Sequence, residues 1–276
     1  MLLVIGMLIG LVLGLTGAGG SVFAVPLLML FAGLPMISAV GISLGAVAAS
    51  SFYGSLRTLF NQKRRASVLW LPGVILAGTG AITAPLGKWL GLQLTETWLL
   101  LGFSLLALVI AVRMWLSATH NPDTAKVVRA GNFADTPSPG LLCNLSHNGQ
   151  FELRPRCLSG LIIGGVLVGL LSGLFGVGGG FLIVPLLLML SPISMAQAVS
   201  TSLIIIAVVS GSGFISHLIM NTGNDWQLLG LVAAGGVLGM MIGQAVSHKI
   251  ANALLQKIFA VSLLIISLVT LLRYFL

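Results

Sequence analysis

Charge is what this sequence most lacks. Asp, Glu, Lys and Arg make up 7% of its 276 residues, while 57% are hydrophobic; a soluble domain carries about 25% charged residues. So small a share cannot cover a water-facing surface, which excludes a soluble fold. The five acidic residues, Glu96, Asp123, Asp135, Glu152 and Asp225, all lie in connections or at the ends of apolar segments. No apolar segment holds a carboxylate, so the usual relay site for a proton or sodium ion has no candidate. A hydroxyl nucleophile would have no buried His or carboxylate to activate it, which argues against an enzyme. His217 and His248 stand near segment ends, where interfacial packing is expected. Cysteine is scarce: Cys143 and Cys157 are the only two, both in one polar connection, and imply no disulfide framework. With His147 they form a lone trio without paired spacing, too weak for zinc. No metal and no cofactor is expected.

Long apolar runs are what the sequence has instead. Stretches of about 20 apolar residues recur along most of the chain, the pattern of helices that span a bilayer. The segments run about 2–16, 20–33, 38–57, 68–88 and 97–116, then, after a polar stretch at 117–157, about 158–175, 180–192, 196–218, 226–247 and 253–275. The polar stretch is expected to be mostly loop, with room for a small hairpin. The first segment lacks a basic flank, and its continuation recurs in the chain interior, so it reads as a structural helix rather than a signal peptide. The net charge of +8 sits in connections, where it reports orientation and not nucleic-acid binding.

One stretch is written twice. Residues 14–31, GLTGAGGSVFAVPLLMLF, return at 173–190 as GLFGVGGGFLIVPLLLML. A constant offset of 159 pairs Gly17 with Gly176, Gly19 with Gly178, Gly20 with Gly179 and Pro26 with Pro185. The same register pairs Met36 with Met195, Val40 with Val199, Ser43 with Ser202 and Leu44 with Leu203, with 14 identities in the 31 positions from Gly14. The chain is therefore two homologous halves, 1–116 and 158–276, joined by the connection at 117–157.

Five segments per half is an odd number, so the halves are expected to insert in opposite orientations. Charge agrees: the loop after segment three carries Lys63, Arg64 and Arg65, while its counterpart, residues 221–225, carries no Lys or Arg. With the Lys63 loop inside, 11 of the 13 basic residues fall inside, leaving Lys88 and Arg273 outside. Both termini are then outside and the 117–157 loop is cytoplasmic. Trp70, Trp89, Trp98, Trp115 and Trp226 all lie at segment ends, where an aromatic belt belongs. Segments one, two, six and seven are short for a hydrocarbon core of about 30 Å, so full spans and re-entrant hairpins both stay open. The expected fold is an all-α polytopic membrane protein of two inverted-topology repeats, with short Gly/Pro-interrupted helices at its centre.

A glycine turn exposed to hydrocarbon is costly; one that lines a cavity is tolerated. Short Gly/Pro-interrupted segments at matching positions of inverted repeats point to the substrate site of a transporter. Each turn leads into a helix N-terminus, where free N–H groups and the helix dipole favour an anion. The candidate binding residues are Gly17, Gly19, Gly20 and Ser21 with Gly176, Gly178, Gly179 and Gly180; Ser43, Thr201 and Ser202 are candidate hydroxyl donors. Pro26 and Pro185 are expected to break their helices. This site needs no cationic side chain. The other role open to these glycines is close helix packing. Neither turn supplies the Lys-Ser/Thr of a P-loop or a complete GxGxxG.

The doubled turn, followed by AVGISL in the first half and AVSTSL in the second, resembles the sulfite exporter TauE/SafE family of membrane permeases, also called toluene sulfonate uptake permeases. The resemblance covers both apolar halves. Ser21 departs from it where the second half has Gly180, and the 117–157 connection is longer than the family's usual central loop. The resemblance implies transport of sulfur-containing anions such as sulfite, thiosulfate or organosulfonates across the bacterial inner membrane, with the anion and the lipid bilayer as partners. Export is favoured here, because an anion leaves down the membrane potential without a coupled ion. An anion channel, a cation-coupled importer and a membrane factor handing sulfur to a soluble partner are the alternatives, and homo-oligomerisation stays open.

Overall fold

With no water to bond a backbone inside a bilayer, apolar runs of this length close their hydrogen bonds within helices. The computed structural model describes residues 1–17, 20–60, 68–120, 144–145, 151–152, 155–191, 193, 195–220 and 225–246, and six single positions between 261 and 272. In the first half α1 is Leu2–Thr16, α2 Gly20–Ala32, α3 Met36–Phe60, α4 Trp70–Gln93 and α5 Glu96–His120. In the second half α6 is Pro155–Phe175, α7 Gly180–Leu190, α8 Met195–Met220 and α9 Trp226–Val246. A two-residue antiparallel pair, Asn144–Leu145 with Phe151–Glu152, is the small hairpin for which the connection had room.

Among the described residues five helices are long and apolar enough to cross a membrane: Met36–Phe60, Trp70–Gln93, Cys157–Phe175, Gln197–Met220 and Trp226–Val246. Segment six, read as short, is helical over 21 residues because Pro155 starts it three residues before the apolar run. Helices α1, α2 and α7, with 15, 13 and 11 residues, are the short ones. The region of the tenth segment lies almost wholly outside the described residues. Large apolar side chains face outward, Ile82 at 73% exposure and Leu105 at 63%, as a lipid-facing surface requires.

The helices pack in the row α1, α9, α3, α8, α4, α6. Exchanging the halves turns α1·α9 into α6·α4 and α9·α3 into α4·α8, and returns α3·α8 to itself, so the pairings are the same from either half. Glycine makes the outer pairs. A Cβ at Gly6, Gly10 or Gly14 would meet the backbone of Val232, Gly236 or Met240 in turn, so α1 and α9 run parallel. Gly87 and Gly91 meet Leu170 and Leu174 in the same sense across α4 and α6. These small-residue faces are the packing use of glycine in membranes, and they employ other glycines than the turns. At the centre Gly41 faces His217, Gly45 faces Phe214 and Gly54 faces Leu203, so the equivalent helices α3 and α8 run antiparallel.

Three expectations change. Pro26 and Pro185 lie inside α2 and α7, which continue through them. A break would strand several backbone groups where no water reaches, whereas a proline in a continuing helix gives up one bond. Cys157, fully buried in the first turn of α6, is disulfide-bonded, although two cysteines implied no disulfide framework; Cys143 and His147 lie outside the described residues. Lys88, expected at the outer surface, is 2% exposed, because α3 and α6 close over the end of α4.

Candidate anion site

The short helices α2 and α7 each follow glycine in the left-handed region. Gly17 (φ 73°) ends α1, its N–H bonding Leu13 O at 2.7 Å. Gly176 (φ 69°) ends α6 likewise, through Ser172 O at 2.9 Å, and Gly178 and Gly179, both at φ 67°, lead into α7. A side chain at such a φ costs about 1–2 kcal/mol, which explains why glycine recurs. The first ladder bonds of α7 run from Leu182 and Ile183 to Gly179 O, so the N–H groups of Gly178, Gly179 and Gly180 stand ahead of the ladder. Gly20 and Gly180 open α2 and α7 and are buried. Gly19 lies outside the described residues.

The motif that follows each turn serves the other half's turn. Ser43 Oγ donates to Gly176 O at 2.7 Å, and its equivalent Ser202 shares its proton between Val199 O at 2.9 Å and Gly17 O at 3.2 Å. A Cβ at Gly176 would stand 2.7 Å from Val40 Cα, and one at Gly17 would stand 3.0 Å from Val199 Cβ. Val40 and Ser43 are thus a clasp on the second turn, and Val199 and Ser202 a clasp on the first. A serine has one proton to donate, so Ser43 and Ser202 hold the turns instead of presenting free donors. Thr201 sits elsewhere, its Oγ1 accepting from Leu69 N–H at 3.0 Å where α4 begins.

The two turns meet through Ser21, which is fully buried with its Cβ 3.5 Å from the Cβ position of Gly178. One further hydroxyl pair stands out, and reading the sequence missed it. Ser51 on α3 and Ser210 on α8 are equivalent under the 159 offset, both are fully buried, and neither Oγ has a hydrogen-bond partner among the described residues. Ser210 Oγ lies 2.7 Å from the Cβ position of Gly178, beside Val47 Cγ1 at 2.8 Å. Ser172 Oγ is a third buried hydroxyl without a partner among the described residues, with its Cβ 3.6 Å from the Cβ position of Gly179. The signal was there: the Ser51/Ser210 identity lies just past the stretch over which the repeat is densest.

Chemically this is a collection of donors. Backbone N–H groups at a helix start and hydroxyls without a partner come together at the second turn, with no carboxylate among the atoms nearest Gly178 and Gly179, and such a set suits an anion. Two cavities lie elsewhere. One of about 590 Å³ follows the α4–α8 groove between Ala81, Pro85, Gly211 and Ile215, and one of about 170 Å³ lies beside Trp70 and Thr201. The hydroxyl of Ser212 in the first already donates to Ala81 O at 2.6 Å. Apolar walls and a committed hydroxyl suit lipid tails rather than an anion. His217, 5% exposed, packs against Gly41.

A family model described as "Sulfite exporter TauE/SafE" matches residues 2–270. A probable membrane transporter protein of Xylella fastidiosa (strain 9a5c) is 27% identical over 95% of this chain and 91% of its own. The probable membrane transporter protein YunE of Bacillus subtilis is 29% identical over 96% and 94%, and MJ0441 of Methanocaldococcus jannaschii, of the same description, is 26% identical over 94% and 86%. No solved structure matches.

Proposed function

This chain belongs to the sulfite exporter TauE/SafE family of membrane transporters, and from that premise we propose that it is a permease exporting a small sulfur-containing anion, such as sulfite, thiosulfate or an organosulfonate, across the bacterial inner membrane. The observation that carries the reading is the second glycine turn, where the N–H groups of Gly178 and Gly179 stand ahead of the helical ladder and Ser210 and Ser172, whose hydroxyls have no partner among the described residues, lie beside those glycines. The reading makes the two halves inverted repeats. Equivalent helices α3 and α8 run antiparallel at the centre of a row that is unchanged when the halves are exchanged. A two-fold axis perpendicular to those helices relates the halves, so each turn faces its counterpart and the site opens alternately to either side. Export needs no coupled ion: a monoanion leaving a cell at −100 mV gains about 2.3 kcal/mol.

Proteoliposomes holding the purified protein and loaded with sulfite, thiosulfate, sulfoacetate or sulfate test this directly. Saturable, counterflow-competent release of one sulfur anion, faster when the inside is negative, is the expected result. Conductance far above carrier turnover would make the protein a channel. Absence of flux for every sulfur anion at any potential or pH would end the anion reading.

Orientation follows from the 11 of 13 basic residues that fall on one side when the Lys63 loop is inside. In a cysteine-free background, a membrane-impermeant maleimide should label cysteine at exposed Leu94 from outside, and cysteine at exposed Phe60 only after permeabilisation. The reverse pattern would turn the molecule over and put Cys157 on the oxidising side, where a disulfide is ordinary.

A further inference from the structure

Lys88 is a buried cation with too little to do. It is 2% exposed in the last turns of α4, and among the described residues its one hydrogen bond is a long one, from Nζ to Ile37 O at 3.4 Å. No carboxylate pairs with it among the described residues; the nearby acid, Glu96, caps α3 by accepting from Met36 N–H at 2.9 Å. An ammonium has three protons to donate, and an unpaired charge in a membrane bundle is expensive enough to ask for a function.

Its position supplies one. The Cβ position of Gly173 lies 2.8 Å from Lys88 N, and Gly173 is three residues before Gly176. At the other end of the side chain, Ile37 is three residues before Val40, against which Gly176 packs. Both ends of Lys88 are therefore within about one helical turn, roughly 5 Å along the axis, of residues that hold the second glycine turn.

The other half provides an internal control. Gly14 is the equivalent of Gly173, and its Cβ position lies 2.9 Å from Gln244 N, just as that of Gly173 lies beside Lys88 N. Gln244, 4% exposed, thus occupies in the second half the place that Lys88 takes in the first. A neutral amide is enough to fill that place. The positive charge exists in one half only, so packing does not account for it.

We propose that Lys88 is the fixed positive charge of the permease, a binding residue that draws the anion to the second glycine turn and selects for its charge. The inference rests on the anion-permease reading and deepens it. The neutral turn donors would orient the anion, while the ammonium supplies a charge-assisted bond, about twice as strong as a neutral one. It also breaks the symmetry of the halves, so the second turn holds the anion more tightly than the first.

The test compares wild type with Lys88→Gln, which copies the other half, and Lys88→Arg, which keeps the charge. Thermal stabilisation of the purified protein by sodium thiosulfate is measured against sodium gluconate, beside flux in proteoliposomes. Wild type is expected to be stabilised by thiosulfate. Lys88→Gln is expected to weaken that response about ten- to hundredfold in concentration, and Lys88→Arg to restore most of it. An unchanged thiosulfate response in Lys88→Gln, or no response in wild type, would overturn the role of Lys88. The two readings fail separately: sulfur-anion flux that ignores Lys88→Gln leaves the permease standing without this residue, while a Lys88-dependent response without sulfur-anion flux leaves the residue standing and removes the substrate.

Discussion

Leucine in place of Gly178 is expected to abolish anion flux, a loss of at least about a hundredfold, equivalent to 2.7 kcal/mol or more, while the protein still inserts and stays folded. Gly178 has φ 67°, where any side chain costs about 1–2 kcal/mol. The new side chain would start 2.7 Å from Ser210 Oγ and 2.8 Å from Val47 Cγ1, filling the space where the turns meet. The strain is a fraction of a typical stability of about 5–15 kcal/mol, and the turn lies outside every helical ladder, so helix content should survive. Flux per mole of reconstituted protein, read beside circular dichroism, separates the two effects. Gly211→Ala is the control, since a Cβ there meets nothing within 4 Å. Wild-type flux from a folded Gly178→Leu protein would place the substrate elsewhere.

Ser51→Ala and Ser210→Ala should separate function from stability in a way ordinary core serines do not. Both hydroxyls are fully buried without a partner, and a buried unsatisfied polar group costs about 1–3 kcal/mol. Removing either one should leave the melting temperature unchanged or raise it. Ser210→Ala also removes a donor beside Gly178 to a charged ligand, worth about 1.5–3 kcal/mol, so its half-saturating anion concentration should rise about ten- to hundredfold, and Ser51→Ala tests the equivalent position of the first half. Ser43→Ala gives the contrasting pattern: its Oγ holds Gly176 O at 2.7 Å, so its loss should destabilise the fold by about 1 kcal/mol. The idea fails if both alanine variants at Ser51 and Ser210 melt early and transport normally, because the two hydroxyls would then be structural.

Much of this was readable from the chain alone. Helices follow from apolar runs, since a bilayer leaves the backbone no other way to satisfy itself. The repeat and its turns are visible because left-handed positions such as Gly17 and Gly176 admit little but glycine. The sequence marked Ser43 and Ser202 as a pair but read them as ligand donors, because composition cannot say which carbonyl a hydroxyl will meet. Pro26 and Pro185 misled for a related reason: the rule that proline ends a helix assumes water is there to take the freed groups.

By itself, then, the sequence determined the membrane setting, the two homologous halves and the place of the glycine turns. Each follows from local chemistry: transfer of apolar segments from water, duplication of a register, and the φ that only glycine adopts cheaply. Only the tertiary structure decided which hydroxyls stay free, that each half's Val-x-x-Ser clasp closes the other half's turn, and that Lys88 is enclosed beside the second turn while Gln244 takes its place beside the first. Those outcomes depend on neighbours far apart along the chain, from a separation of 51 for Lys88 and Ile37 to 133 for Ser43 and Gly176 and 185 for Ser202 and Gly17. Burial and hydrogen-bond pairing are properties of a packed pair, and no stretch of sequence contains both members.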